Sequence, residues 1–376
     1  GPLHFGMIAF MQGIMEYFRI FVDFGYSLTA PKAIAQVEEQ NIGSLFAKYF
    51  YGKVCILIFI TVVFFAIYNL QRIVLGNMID ILLFQVMYCG IIGNVLFPVW
   101  FFQGIQKMRY ITILNMSGRI CMMLGIFLFV KSPDDYILAA FLQSCTPLIA
   151  GIFSIVWLRK HYTGLFKLPP MGEIINSYKE GWSIFVSSLA VNLYTATNVV
   201  VLGMLTNNVI VGYYSAADKL IICVRRGIYA VSDAIYPFIS KMMKDDIPKG
   251  LQFIKKQLFL YLIIGVVGCT SLFFFSDTIV RLLFGADYDL TVDVLRILSF
   301  VPLAVAISTV FGEETMLPLN MNSAYSRTLV LGAFFSLISI FPLCYLWGAK
   351  GVAITMLLTE FLIMSIMGGL LRKQLF

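Results

Sequence analysis

The sequence predicts an all-α integral membrane protein with two pseudo-symmetric helical lobes, and three observations support this. Hydrophobic residues make up 60% of the 376 positions and charged residues only 12%, whereas a soluble domain is about half apolar and a quarter charged. The apolar residues form runs of about 20, the length of a membrane-spanning helix. Two stretches of the chain also match each other at a fixed distance of 206 residues.

Eleven apolar segments are long enough to cross a bilayer as helices. They lie near 5–29, 46–68, 78–102, 110–130, 135–158, 182–205, 209–240, 258–275, 292–312, 328–347 and 349–371. These runs lack the alternation of polar and apolar residues that an outer-membrane barrel requires. A polar connection at 159–181 contains the Pro169-Pro170 pair and marks the boundary between two predicted lobes, 1–165 and 166–376.

The repeat relates 6–31 to 212–237 without a gap, so that Arg19 falls on Arg225. The span at 182–205 comes just before the second copy, which predicts that a further helix precedes the first copy. We therefore expect twelve spans in the full protein, six per lobe, with the lobes related as parallel repeats. Sixteen basic residues fall in loops on one predicted side and four on the other. The sixteen mark the cytoplasmic side, so the start of this chain is predicted to be periplasmic.

Charged residues interrupt both repeated helices. In the first helix Glu16, Arg19 and Asp23 share one face. In the second helix the charged residues fall within an arc of about 120°, and they are Asp218, Lys219, Arg225, Arg226 and Asp233. Charge inside a membrane span is costly, so it indicates a functional site by default. Cations outnumber acids in the second set, which favours an anionic substrate; internal ion pairs that lock helices together are the structural alternative.

Other polar residues in the spans are candidates with open alternatives. Arg119 and Arg296 could add to the basic site, or their side chains could reach the membrane surface. Glu360 could carry a proton or form a hydrogen bond to a neighbouring helix. Asn192 and Asn198 lie in a polar segment that suits either sugar hydroxyls or helix–helix contact.

Several chemistries have no support in the sequence. It contains no nucleotide-binding loop, zinc-ligand spacing or hydrolase motif, so we expect no cofactor, no metal site and no catalytic residue. The net charge of +7 follows from the loops and the basic spans rather than from nucleic-acid binding. A membrane enzyme such as a polysaccharide polymerase or ligase usually carries a large extramembrane loop. The predicted outward loops are short, which favours a transporter.

Both halves contain short motifs that are not explained by apolar character alone. They are Asp23-Phe24-Gly25-Tyr26-Ser27-Leu28-Thr29-Ala30 with Ile34-Ala35, Pro98-Val99-Trp100-Phe101-Phe102-Gln103-Gly104 with Lys107-Met108, Gly212-Tyr213-Tyr214-Ser215-Ala216-Ala217, Ala234-Ile235-Tyr236-Pro237 and Thr359-Glu360. These motifs resemble those of the Wzx-type O-antigen flippases. The resemblance extends over essentially the whole chain. Pro31 departs from it, because a polar residue is expected there and proline limits how far a helix continues.

This resemblance implies two six-helix lobes around a central cavity, in the superfamily of multidrug, oligosaccharide-lipid and polysaccharide exporters. It implies that an undecaprenyl-pyrophosphate-linked oligosaccharide crosses the bacterial inner membrane, from the cytoplasmic to the periplasmic leaflet. Alternating access driven by an ion gradient would move it. The implied partners are the lipid-linked oligosaccharide, membrane lipid, and polysaccharide polymerase and chain-length regulator proteins.

The predicted site residues then divide into two groups. The substrate group binds the diphosphate and the glycan and comprises Arg19, Lys219, Arg225, Arg226, Arg119, Arg296, Asn192 and Asn198. The ion-coupling group comprises Glu16, Asp23, Asp218, Asp233 and Glu360. We expect Arg19 and Arg225 to face one shared cavity. A multidrug or cation antiporter of the same fold is the alternative, and its cavity should be rich in acids.

Overall fold

The computed structural model of this protein describes residues 1–38, 41–75, 80–195 and 197–375. These ranges contain α-helices and short turns, and no strand. The helices are α1 (Pro2–Asp23), α2 (Tyr26–Gln36), α3 (Ile42–Leu75), α4 (Ile81–Leu96), α5 (Val99–Gly104), α6 (Met108–Phe129), α7 (Tyr136–His161), α8 (Met171–Thr195), α9 (Thr197–Leu205), α10 (Asn208–Asp245), α11 (Ile247–Phe274), α12 (Ser276–Phe284), α13 (Asp289–Leu298), α14 (Val301–Phe311) and α15 (Asn322–Leu375). A π turn, Gly312–Met316, follows α14. The all-α prediction is confirmed.

Eight helical stretches in the described ranges are long and apolar enough to cross a membrane. The last of them, Asn322–Arg372, has 51 residues, more than twice the length that one crossing needs. Within it Gly348 has a φ of 56°, which interrupts the helix between the last two predicted spans. The predicted spans at 182–205 and 209–240 fall on α8–α10, which are helical but are not among the eight. The count of eleven spans therefore stays a prediction.

A bend divides the first predicted span into α1 and α2. Phe24 and Gly25 adopt φ values of 45° and 78°, and an ideal Cβ at Gly25 would lie 2.5 Å from the carbonyl oxygen of Gly181. Only glycine fits this left-handed conformation and close contact without strain. Pro31 does not end the helix as expected, since α2 continues to Gln36. A proline removes one main-chain hydrogen bond, and α2 continues past that loss.

The chain forms two compact units. The C-terminal unit comprises 1–10 and 193–376, and the N-terminal unit comprises 11–192. α1 is therefore divided between the units after Phe10, and α8 after Asn192. The units do not coincide with the predicted lobes, whose boundary at 165–166 stays a prediction.

In the C-terminal unit the start of α1 crosses α10 at two glycines. An ideal Cβ at Gly6 would lie 1.7 Å from the carbonyl oxygen of Asn208, and one at Gly212 would lie 2.0 Å from that of Pro2. The contact is reciprocal, because Asn208 stands 206 residues after Pro2, as Gly212 does after Gly6. A two-fold relation between repeats produces such pairs of contacts. The crossing thus agrees with the predicted offset.

In the N-terminal unit α8 packs against α2 and α3 through polar contacts. The hydroxyl oxygens of Tyr26 and Ser177 lie 2.6 Å apart, and both side chains are buried. Lys48 Nζ donates to Glu180 Oε1 over 2.9 Å. These contacts place the first part of α8 with the helices of the N-terminal unit.

Candidate functional site

A cavity of about 330 Å³ lies in the C-terminal unit, and we name it the C-terminal cavity. Side chains of α10 and α15 form its wall, and they are Asp218, Ile222, Arg225, Arg226, Tyr229, Ser336, Met356, Thr359 and Glu360. The α10 members recur mostly at intervals of three and four positions, so one face of that helix supplies them. Of the charged face predicted for this repeated helix, Asp218, Arg225 and Arg226 line this cavity, whereas Lys219 and Asp233 do not.

Arg225 and Glu360 form an ion pair in this wall. Arg225 Nη2 lies 3.4 Å from Glu360 Oε1 and 3.5 Å from the hydroxyl oxygen of Tyr229. Glu360 is only 4% exposed, and a buried charge costs several kcal/mol unless a partner compensates it. The ion pair links α10 to α15 and is not formed between two residues of α10. Each residue therefore compensates the charge of a residue on another helix.

A second cavity, of about 470 Å³, lies in the N-terminal unit and is named the N-terminal cavity. Arg19 and Glu16 form an ion pair on α1 beside it, and 58% of the Arg19 side chain is exposed. Asp23 Oδ1 lies 2.8 Å from Nζ of Lys53 on α3. Lys53 is only 6% exposed, so Asp23 compensates a buried cation. Amide and hydroxyl groups complete the polar part of the wall, from Asn94, Gln103, Ser27, Ser188 and Asn192.

The two cavities occupy equivalent places on the two repeated helices. Residues 206 positions apart line both, namely Glu16 and Ile222, Arg19 and Arg225, Ile20 and Arg226, and Asp23 and Tyr229. Of these four pairs, only the second has the same residue, arginine, in both repeats. Arg19 and Arg225 each line a cavity of their own unit, and a single shared cavity stays a prediction.

Positive and negative charges balance in each wall. The C-terminal cavity has two arginines and two acids, and the N-terminal cavity has Arg19 and Lys53 with two acids. The expected surplus of cations is thus absent from these described walls, for two reasons. Lys219 instead lies against an aromatic ring, with its Nζ 4.2 Å from the ring centroid of Phe5. Glu360 adds an acid from α15 that a count along α10 does not include.

Comparison with known proteins identifies the family. The family described as "Polysaccharide biosynthesis protein" matches residues 1–243. The chain is 31% identical over 384 residues to a protein of Escherichia coli (strain K12) named "Putative O-antigen transporter", covering 100% of this chain and 90% of that protein. The chain belongs to the polysaccharide biosynthesis protein family. A protein of the same name from Shigella dysenteriae is 28% identical over 96% of this chain and 90% of its own length.

Solved structures share the fold of this polysaccharide biosynthesis protein. A multidrug resistance MATE family transporter of the MOP superfamily, in its inward-facing conformation, superimposes with a TM-score of 0.77 and 14% identity, covering 100% of this chain and 91% of the other. The lipid II flippase MurJ, in an inward closed conformation, superimposes with a TM-score of 0.76 and 13% identity, covering 98% of this chain and 81% of the other. At such identities the likeness concerns the fold alone. The fold expected for such an exporter is therefore confirmed.

Besides Lys219, two further predicted basic residues of this polysaccharide biosynthesis protein lie outside both described walls. Arg119 is exposed on α6. Arg296 on α13 donates from Nε to Ser276 Oγ over 3.1 Å, and its Nη1 lies 3.9 Å from Asp293 Oδ1. Arg296 therefore interacts with an acid of its own helix and with the first residue of α12. A substrate role for either arginine stays a prediction.

The predicted polar residues are also dispersed. Asn192 lines the N-terminal cavity, and its Nδ2 donates to the carbonyl oxygen of Ser188 over 2.8 Å. Asn198 is buried in the C-terminal unit, at 3% exposure, and does not line its cavity. Asp233 is exposed on α10, beyond the residues of that wall. Among the described residues, no group of three or more His, Cys, Asp and Glu side chains could hold a metal ion.

Lys53 is the charged residue of the described cavity walls that sequence analysis did not assign. It is the one charged residue between positions 49 and 71, in an otherwise apolar run. Such an isolated cation signals that another helix must supply an acid. The sequence could not name Asp23 as that acid, because 30 positions and a helical bend separate the two residues.

Proposed function

We propose that this protein is a flippase that moves an undecaprenyl-pyrophosphate-linked oligosaccharide, the O-antigen repeat unit, across the bacterial inner membrane. The observation that carries the proposal is the repeat-related pair Arg19 and Arg225, each on the wall of a cavity. The relatives named as O-antigen transporters, matched over nearly their whole length, support it. On this proposal the protein is a multi-pass carrier rather than an enzyme, and it works by alternating access.

The C-terminal cavity suits the diphosphate of the lipid carrier. Arg225 and Arg226 place two guanidinium groups at one wall. A guanidinium binds phosphate oxygens through two parallel hydrogen bonds, and a diphosphate that leaves water needs fixed cations in place of its hydration. Arg226 is exposed and can meet the substrate first. Lys219 and Arg119 remain candidates for the same role along the path.

Glu360 links protonation to substrate binding. Its carboxylate and a diphosphate compete for the guanidinium of Arg225, which it pairs with in this conformation. Loss of the Glu360 charge on protonation frees Arg225, so protonation and diphosphate binding promote each other. Asp23 stands in the same relation to Lys53. Of the five acids proposed for ion coupling, these two are therefore the leading candidates, ahead of Glu16, Asp218 and Asp233.

The N-terminal cavity suits the glycan. Asn94, Gln103 and Asn192 supply amide donors and acceptors on its wall, and sugar hydroxyls bind such groups without requiring charge. The polyprenyl tail stays in the lipid of the membrane. Polysaccharide polymerase and chain-length regulator proteins are the proposed partners, because they act on the product at the periplasmic face.

A cation or multidrug antiporter is the second candidate function. The equal numbers of acidic and basic residues in each cavity wall support it. Two acids in each wall could hold an organic cation as well as two basic residues could hold an anion. Two measurements in one host strain distinguish the two functions. A flippase restores surface glycan without changing resistance to cationic dyes, whereas an antiporter does the reverse.

The deciding experiment removes the arginines of the C-terminal cavity. In a host lacking its own O-antigen flippase, the Arg225→Ala, Arg226→Ala double variant should abolish surface glycan while its membrane abundance stays near that of the wild type. Lysine at both positions should rescue only part of the glycan, because a point charge lacks the paired donors of the guanidinium. Arg281→Ala is the matched control, since Arg281 pairs with two acids outside the cavities. Normal glycan from the double variant refutes the proposal.

A purely structural role for Arg225 has a different signature. If Arg225 only compensates Glu360, then Arg225→Ala leaves a buried carboxylate and lowers the abundance of the protein. The double variant Arg225→Met, Glu360→Gln would then restore both abundance and glycan. On the substrate-binding proposal it restores abundance alone.

A further inference from the structure

A buried carboxyl group lies in the C-terminal unit, outside the wall of its cavity. Glu314 belongs to the π turn Gly312–Met316, and its side chain is completely covered by protein. π turns are rare and often occur at functional sites. None of the roles assigned so far includes this residue.

Gln257 of α11 contacts this carboxyl. Its Nε2 donates to Glu314 Oε2 over 2.6 Å. The other oxygen of each group, Glu314 Oε1 and Gln257 Oε1, is buried without a hydrogen bond of good geometry among the described residues, and so is the hydroxyl of Tyr261. The Ser232 hydroxyl lies beside Glu314 and the Tyr261 hydroxyl beside Gln257. One unpaired buried oxygen costs roughly 1–3 kcal/mol. Two of them on a single contacting pair indicate that this contact lacks a hydrogen-bond donor.

The described residues that surround Glu314 supply no positive charge. In the described part of the chain, no basic side chain forms an ion pair with it. The polar groups around the π turn are Ser232 and Asp233 from α10, Gln257 and Tyr261 from α11, Tyr325 from α15, and the adjacent Glu313. The charged ones among these are acids. A bare carboxylate here would therefore bear the full cost of burial with repulsion added.

We propose that Glu314 binds a proton in this conformation and that Glu314 and Gln257 form a proton site of the transport cycle. Only the transport role rests on the proposed function. A proton on Oε1 makes that oxygen a donor, and Gln257 Oε1 is an acceptor on the facing amide. The two groups then exchange two parallel hydrogen bonds. One proton thus satisfies both unpartnered oxygens and removes the buried charge.

Release of this proton would destabilise the local packing. The O–H bond breaks, its electron pair stays on the carboxylate, and the proton passes to water. The buried carboxylate is then charged and its contact with Gln257 again lacks a donor, with the acids Glu313 and Asp233 near the π turn. Gln257 also lines a cavity of about 790 Å³, so the pair has open space beside it. The contact between α11 and the π turn is stable in the protonated form, which lets protonation select a conformation.

Infrared spectroscopy of the purified full chain tests the proton directly. At neutral pH in potassium buffer, the difference spectrum between wild type and Glu314→Gln should contain the carbonyl stretching band of a protonated carboxyl group. Glu313→Gln is the matched control, the same change at the adjacent half-buried acid, and should retain that band. Absence of the band from the wild type overturns the proposal. So does its loss when sodium replaces potassium, which would assign the site to a monovalent metal cation.

Transport measurements test the role in the cycle. Glu314→Gln keeps a neutral group with a donor and an acceptor toward Gln257, so its membrane abundance should equal that of the wild type. It cannot release a proton, so surface glycan should be lost. Normal glycan from Glu314→Gln, or a strong fall in its abundance, contradicts the proposal. Failure of the flippase proposal is distinguishable, because it leaves the infrared band in place while the Arg225, Arg226 variant exports glycan normally.

Discussion

The N-terminal and C-terminal cavities hold the same repeated arginine in different ways. Arg19 pairs with Glu16 on its own helix and is 58% exposed, whereas Arg225 pairs with Glu360 of α15 and is 12% exposed. The buried cation of the N-terminal cavity is instead Lys53, which no repeat relation predicts. Duplication thus keeps one residue at one place on a helix, while each half acquires its own compensating charge. At the repeated position, the N-terminal cavity therefore has an exposed arginine and the C-terminal cavity has a largely buried one.

The largest expected effect tests whether the two glycines of the α1–α10 crossing contribute equally to stability. Gly6→Ala and Gly212→Ala should each destabilise the protein by at least about 3 kcal/mol, because the new methyl group overlaps a carbonyl oxygen of the other helix. Membrane abundance and thermal unfolding in detergent measure this effect. Gly227→Ala is the control on the same α10, where an added Cβ meets nothing within 4 Å, and it should leave stability unchanged or raised by up to about 1 kcal/mol. Unequal losses of stability for the two variants would show that the two glycine contacts are not equivalent.

A smaller effect should separate the two buried ion pairs. In double-mutant cycles, Asp23→Asn with Lys53→Met should give a coupling energy of roughly 2 kcal/mol, and Glu360→Gln with Arg225→Met roughly 1 kcal/mol. The N-terminal pair is closer, at 2.8 Å against 3.4 Å, and only the shorter distance is that of a strong charged hydrogen bond. Thermal unfolding of the four variants in each cycle supplies the values. A larger coupling for the C-terminal pair would reverse the comparison.

The smallest effect on stability concerns Arg19. Glu16→Gln should change the free energy of unfolding by less than about 0.5 kcal/mol, because an exposed pair three residues apart on a helix contributes little. Arg19→Gln should be similarly neutral for stability and yet reduce surface glycan. Comparing thermal unfolding with glycan export for both variants separates the two roles. A drop in stability for Arg19→Gln would show that this arginine is structural, like a buried ion pair.

The sequence predicted those parts of the molecule that depend on composition and helical period. Long apolar runs specify membrane helices, and the spacing of Glu16, Arg19 and Asp23 specifies one face, which does line a cavity. The pairing of Glu16 with Arg19 follows from the same period. The period of one helix says nothing about what packs beside it, so the contacts of Asp23 with Lys53 and of Arg225 with Glu360 could not be predicted.

Local backbone geometry limited the predictions in another way. An apolar run of about 25 residues looks continuous on any hydropathy scale, yet Phe24 and Gly25 bend the chain with positive φ values. Glu314 was missed because it follows the last apolar residues of its predicted span and looks like the start of a loop. The π turn carries the helix past that point and buries the carboxyl group.

The crossing of Gly6 and Gly212 also bears on how the chain arose. Gly6 contacts Asn208, four positions before Gly212, and Gly212 contacts Pro2, four positions before Gly6. The two helices therefore make the same contact with each other. An isologous interface between two identical subunits has this property. A half-length ancestor could thus have assembled as a homodimer through a single glycine, and fusion of two gene copies would have preserved that interface within one polypeptide.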